Sequence, residues 1–337
     1  MEFSLFLPTY MPNAQENGDR VFNNMLEKAK LAEEVGFKSV ALPEHHFINI
    51  LINPAPLITA VKIASITKNI KINTSVMVLP LADMRRLAGE IAVADILTEG
   101  RIQVGVGRGA FGYEFERFGA DFSNSREVFD ESLNVLLELL LNDDEVSWEG
   151  DYYNFEKIRI MPRPIQKPMP PIWIAALSPV AIYHCAKRGF NVQTSPLQES
   201  LESLKEQVSS FREGAKENGQ EQKISVLRGG FITENPEESR VIKELAYEYY
   251  KRFSNIFQGP GKVEMGEVLA LPMEQTFEEL SKNLIIGTKG EVIDSLSQYA
   301  ESGIDEVNLN LDMGASHVEV MKSIERFGKE VIPKFEE

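Results

Sequence analysis

Glu44-His45-His46 sets a carboxylate beside two imidazoles, and imidazole is the side chain whose charge changes near neutral pH. Such a cluster suits a general base, a polarising group or metal ligation. Metal is disfavoured: neighbouring residues of an extended chain point to opposite faces, and only His184, His317 and the single Cys185 remain as further N or S ligands. The structural alternative is that both rings satisfy buried loop carbonyls. Gly105-Val106-Gly107-Arg108-Gly109 is a flexible turn that lets a planar or phosphorylated ligand approach the backbone, with Arg108 as a guanidinium fork. Its spacing lacks the third glycine of a dinucleotide fingerprint. The bland reading is a tight turn in which Arg108 pairs with Glu114 or Glu116. Ser178-Pro179 places a capping residue before proline at the first helical position, and helix starts of this kind receive anions. Arginine, glycine turn and helix start together suggest a phosphorylated cofactor. Val76, Met77 and Leu79, with Phe6, Ala175 and Ala176, form either an apolar slot for a flat ring or an ordinary packing layer.

These residues need a scaffold, and the 337-residue chain alternates short β-rich runs with segments of helical period, the pattern of parallel strands joined by crossover helices. Strands are expected at Phe3 to Leu7, Ser39 to Leu42, Ile70 to Val78, Ile102 to Gly105, Ile172 to Ala175, Val192 to Ser195, Ile224 to Thr233 and Val307 to Leu311. Asp19 is expected to cap the first helix, and Asn124 with Glu127, and Thr288 with Glu291, to form capping boxes. Val146 to Phe155 reads as an inserted hairpin and Pro162 to Pro171 as a stiff connector. Eight such units predict a single (β/α)8 barrel, an α/β TIM-barrel domain over residues 1–337, with residues 258–273 as a mobile lid. In a barrel the site lies at the C-terminal ends of the strands, and each motif above follows a strand.

Lys and Arg number 35 against 51 Asp and Glu, a net charge of −16. That field repels nucleic acid and anionic membrane surfaces. One cysteine cannot form an internal disulfide, which fits a reducing cytoplasm. Met1 to Ser4 carries no positive segment ahead of an apolar run, and no window approaches about 18 uncharged apolar residues.

The chain resembles the bacterial luciferase-like family of flavin-dependent monooxygenases over nearly its whole length. Phe3 to Tyr10 resembles the family's first strand, Glu44-His45-His46-Phe47 its second-strand signature and Val78-Leu79-Pro80 its third-strand exit. Gly100-Arg101 through Gly109, Phe118-Gly119 and Asn124-Ser125-Arg126 form the most specific block. Ile286-Gly287-Thr288, Gly303-Ile304-Asp305 and Val331-Ile332-Pro333 match its C-terminal end. The resemblance implies a barrel that uses reduced FMN and O2 to insert one oxygen atom into a small organic substrate such as a long-chain aldehyde. It implies His45 as the catalytic histidine, Arg108 and Ser178 on the flavin phosphate, and Ser75 and Val76 backing the ring through a non-prolyl cis peptide. Phe6, Glu44, Ala110, Ala176 and Leu177 complete the implied flavin contacts, with no metal. No nicotinamide fingerprint is present, so a separate flavin reductase is expected, as is a homodimer. Asp83-Met84 replaces the family's common His-Pro, and Gly107 stands where the light-emitting subunit has a reactive cysteine. Two alternatives are hydride transfer with a deazaflavin and a non-catalytic flavin-binding subunit of a heterodimer.

Overall fold

Val40, Leu42, Ile72, Val104, Val106, Val192 and Val226 sit at alternate positions of short strands, and all are buried. An apolar face repeated strand after strand has to be covered by helices, and residues strung this way close into a ring. The computed structural model, which describes residues 1–195, 199–257 and 259–336, shows that ring. Its strands are β1 (Glu2–Phe6), β2 (Ser39–Leu42), β3 (Lys71–Thr74), β4 (Ile102–Gly107), β5 (Ile172–Ala175), β6 (Asn191–Thr194), β7 (Ile224–Thr233) and β8 (Glu306–Asn310). Each pairs in parallel with the next, and β8 returns to β1 through Ser4↔Asn308 and Phe6↔Asn310. The expected barrel is present.

The structure departs from expectation in several places. The third strand is broken: Lys71–Thr74 pairs with β2 and β4, the Ser75–Val76 peptide is cis, and Met77–Val78 then rejoins β4 alone. A ninth parallel strand, Ile285–Thr288, lies outside the ring against the second half of β7. Helix α1 (Gly18–Glu34) starts before Asp19, which lies in its first turn and is not its cap. Asn124 makes no capping bond to α5 (Ser125–Leu141), because the preceding turn is capped by Asp121, which accepts from the Ser123 N–H at 2.8 Å. The Thr288 and Glu291 capping box forms as read.

The inserted hairpin pairs Val146–Glu149 with Asn154–Ile158. Glu131 on α5 latches it, accepting from the backbone N–H groups of Asp151, Tyr152 and Tyr153 and from the Trp148 indole at 2.9–3.1 Å. Of the proposed lid, Gln258 lies outside the described residues. The remainder is not structureless, since Val263–Glu264 and Glu267–Val268 form a small antiparallel hairpin. Among the described residues no helix is long and apolar enough to cross a membrane.

Candidate functional site

His45 and His46 leave β2 in a loop, so strand alternation does not govern them. Other contacts part the two rings. His45 Nδ1 lies 3.1 Å from Glu114 Oε1 and 3.3 Å from Oε2, and its ring stacks on Phe111 at 4.2 Å between centroids. Glu114 belongs to the short helix α4 (Gly112–Phe118), and its side chain is wholly buried. The same carboxylate accepts the backbone N–H of His46 at 2.6 Å. With Nδ1 held, Nε2 of His45 is without a protein partner among the described residues. His46 Nε2 lies 3.0 Å from Glu44, whose other oxygen accepts the Val78 N–H at 3.0 Å. Glu44 thus ties the histidine loop to the broken end of β3. Among the described residues no three His, Cys, Asp or Glu side chains converge as metal ligands.

Strands β4 and β5 are neighbours, so Arg108 and the start of α6 (Pro179–Lys187) emerge side by side. Arg108 does not pair with Glu114 or Glu116. Glu114 is taken by the histidines and Glu116 by Arg117 at 3.2 Å. Arg108 instead lies over the Phe122 ring at 5.4 Å. Burial, and then the like charge of Arg126, hold its guanidinium below the ordinary value. Neither arginine is in an ion pair with a described residue. Two cations without a counter-charge raise the local potential and call for an anion. Beside them Ser178 Oγ accepts the Ala181 N–H at 3.3 Å, while the amides of Leu177, Ser178 and Val180 donate to no described residue. The Ala176 amide is spent on Gln193 O at 3.0 Å. Arg126, absent from the expected contacts, could have been found from its place in the Asn124-Ser125-Arg126 motif.

Between these two ends lie the glycines. A Cβ at Gly105 would fall 1.9 Å from the Thr74 carbonyl oxygen, and one at Gly107 would fall 2.6 Å from Val76 Cγ2 and 3.4 Å from Ala175 Cβ. Only glycine lets β4 pass the irregular end of β3 this closely. The result brings Ser75, Val76, Gly107 and Ala175 together as one shallow wall. Phe6 closes β1 in register with Ala41 and Asn310. Ala110 is half-buried, and Leu177 is partly exposed with its carbonyl accepting Gln207 Nε2 at 2.7 Å.

The hairpin of Val263–Glu264 and Glu267–Val268 is fastened to the loop that carries the histidines. Val268 N–H donates to Asn49 Oδ1 at 2.9 Å, and Asn255 near the end of α8 (Pro236–Ile256) bonds to Lys262 and Leu269. Phe253 of α8 meets Phe111 edge-on at 5.8 Å, so an aromatic wall runs from α8 to His45.

An eight-stranded parallel barrel with helices between its strands is the architecture of luciferase-like monooxygenases. The chain belongs to that family, whose description it matches over residues 1–306. Among its relatives, the oxygenase component of flavin-dependent trigonelline monooxygenase of Acinetobacter baylyi is 30% identical, with 100% of this chain and 96% of the relative covered. The alkanal monooxygenase alpha chain of the Kryptophanaron alfredi symbiont is 24% identical over 100% of this chain and 99% of its own. Monooxygenase RslO1 from Streptomyces bottropensis superposes with a TM-score of 0.88 at 25% identity, covering 100% of both chains.

Proposed function

We propose that the chain is the oxygenase of a two-component system, a homodimer that takes reduced FMN from a separate reductase and places one atom of O2 in a small organic substrate. The observation that carries the reading is the pair Arg108 and Arg126 beside the free amides of α6, a cradle for a terminal phosphate. The glycine-lined wall suits a flat ring, because a side chain at Gly105 or Gly107 would fill the space the ring needs. A relative named as an oxygenase component supports the separate reductase.

When bound, reduced flavin supplies the electrons that activate oxygen. In this chain Arg108, Arg126, Leu177 and Ser178 would hold the phosphate end and Phe6, Ser75, Val76, Ala110 and Ala176 would line the ring's place, with Glu44 fixing Val78 beside them. His45, with Nδ1 tied to Glu114, presents Nε2 to hold or move a proton at the reacting edge. The lid hairpin and the Phe111–Phe253 wall exclude water, which protects reactive intermediates. Long-chain aldehydes are the first substrates to test.

The test is to mix the protein with photoreduced FMN, air and a panel of aldehydes. Oxygenated product in proportion to protein is expected. Hydrogen peroxide as the sole product, with no measurable FMN binding, would overturn the proposal.

A further inference from the structure

Barrel interiors are usually packed with branched apolar side chains in layers of four drawn from alternate strands. This one is not. The register places Glu306 and Ser39 at the base of the barrel, followed by a layer of Ser4, Asn73, Trp173 and Ser225. The next layer is Ala41, Gly105, Gln193 and Asn308, and Phe6 and Ala175 then begin the floor of the site. Apart from the Trp173 indole, the two middle layers are polar or small. Within them Asn73 Oδ1, Asn308 Oδ1, Gln193 Oε1 and Trp173 Nε1 are buried and meet no described partner. Their residues are each at least nine-tenths buried, and they come from four different strands. Unpaired polar atoms gathered in one interior are satisfied by internal water.

At the base, Ser225 Oγ donates to Glu306 Oε1 at 2.7 Å. Ser39 Oγ lies 2.8 Å from Ser4 Oγ and 3.4 Å from Glu306 Oε2. The shorter of Ser39's two contacts is the one to Ser4, and a protonated Glu306 donating to Ser39, which donates to Ser4, gives every group a partner. Burial pushes the Glu306 carboxyl up, and Glu2 adds to it against Ser225, Lys223 and Ser39. Glu2 and Lys223 are the charged groups that face it, and they pair at 2.8 Å across the outer end of the barrel.

We propose that the barrel interior beneath the site is a hydrated chamber through which Glu306 exchanges its proton with the floor of the site. Only a proton moves: the Glu306 O–H bond breaks as a water O–H bond forms, and the carboxylate recovers a proton by the same chain of water and serines. The use of this route in turnover rests on the flavin reading, but the chamber itself does not.

The test uses the flavin-free protein, so a failure to bind FMN leaves it intact. Infrared spectra should show a carboxylic-acid band that Glu306→Gln removes and that shifts in D2O while the barrel amides remain protected. Asn308→Leu, which plugs the chamber, should slow that exchange at least tenfold and lower the melting temperature. No band assignable to Glu306, exchange only upon unfolding, or exchange indifferent to Asn308→Leu would each overturn the proposal. So would a rise in melting temperature for Asn308→Leu, since that marks a dry, unpaired amide replaced by a better-packed side chain. Should Glu306→Gln fail to fold, Asn308→Leu alone decides through the same band.

Discussion

The Glu114 carboxylate holds two consecutive residues at once, His45 by its ring Nδ1 at 3.1 Å and His46 by its backbone N–H at 2.6 Å. A wholly buried acceptor of this kind fixes the tautomer as well as the ring position. Glu114→Gln keeps the shape but not the acceptor pair. It should cost about 10–10²-fold in turnover with FMN affinity unchanged, at the low end for a positioned acid–base group. Stopped-flow turnover beside an FMN titration checks it, and an equal loss in both would make Glu114 a packing residue.

His45→Ala should spare FMN binding and cost about 10²–10⁴-fold in turnover. His46→Ala removes the Glu44 bond and the edge contact with Phe118 at 4.9 Å, so it should lower the melting temperature more than the rate. The two variants assayed together separate chemistry from packing.

Arg108→Ala should weaken FMN by about 1.5–3 kcal/mol, the scale of a charge-assisted contact. Arg126→Ala should weaken it by less, because that side chain is more exposed. Riboflavin, which has no phosphate, should bind both variants as it binds the native protein. Equal weakening of the two flavins would place the phosphate elsewhere.

Gly105→Ala drives a methyl group against the Thr74 carbonyl, a backbone atom that has no rotamer to yield. Overpacking of this kind costs about 1–3 kcal/mol. Chemical denaturation should show that loss, and a silent substitution would mean that the two strands move apart freely.

Glu131 sets a pH dependence. Burial opposes its charge, but the N–H groups of Tyr153 and Tyr152, the Trp148 indole and the Asp151 N–H outweigh it and hold the carboxyl below its ordinary value. A carboxyl lowered in the folded state adds stability above its unfolded pKa, about 4.3, and loses it as pH falls through the lowered value. The melting-temperature gap between the native protein and Glu131→Gln should therefore be widest near neutrality and close in acid. A gap that widens in acid would contradict the hydrogen-bond assignment.

The barrel was legible because its outward strand faces are runs of Val, Ile and Leu between capped helices. Ile285–Thr288 escaped notice because four residues ahead of a capping box read as a helix lead-in. Ser178 was readable from its cap, and Arg108 from its glycines. Glu114 was not, since the seven-residue α4 is too short to show a period and its partners lie 68 and 69 positions away in sequence. The break in β3 was implied by resemblance alone, because Ile70 to Val78 carries one uninterrupted β pattern.

Asn49 lies four residues beyond His45, and its side chain is the anchor that receives the Val268 amide of the small antiparallel hairpin. Its amide nitrogen also grips the Met11 carbonyl at 2.9 Å, joining the first-strand loop to the same post. The histidine loop, the first-strand loop and the hairpin thus hang from one amide side chain, so a change at Asn49 is felt by all three at once.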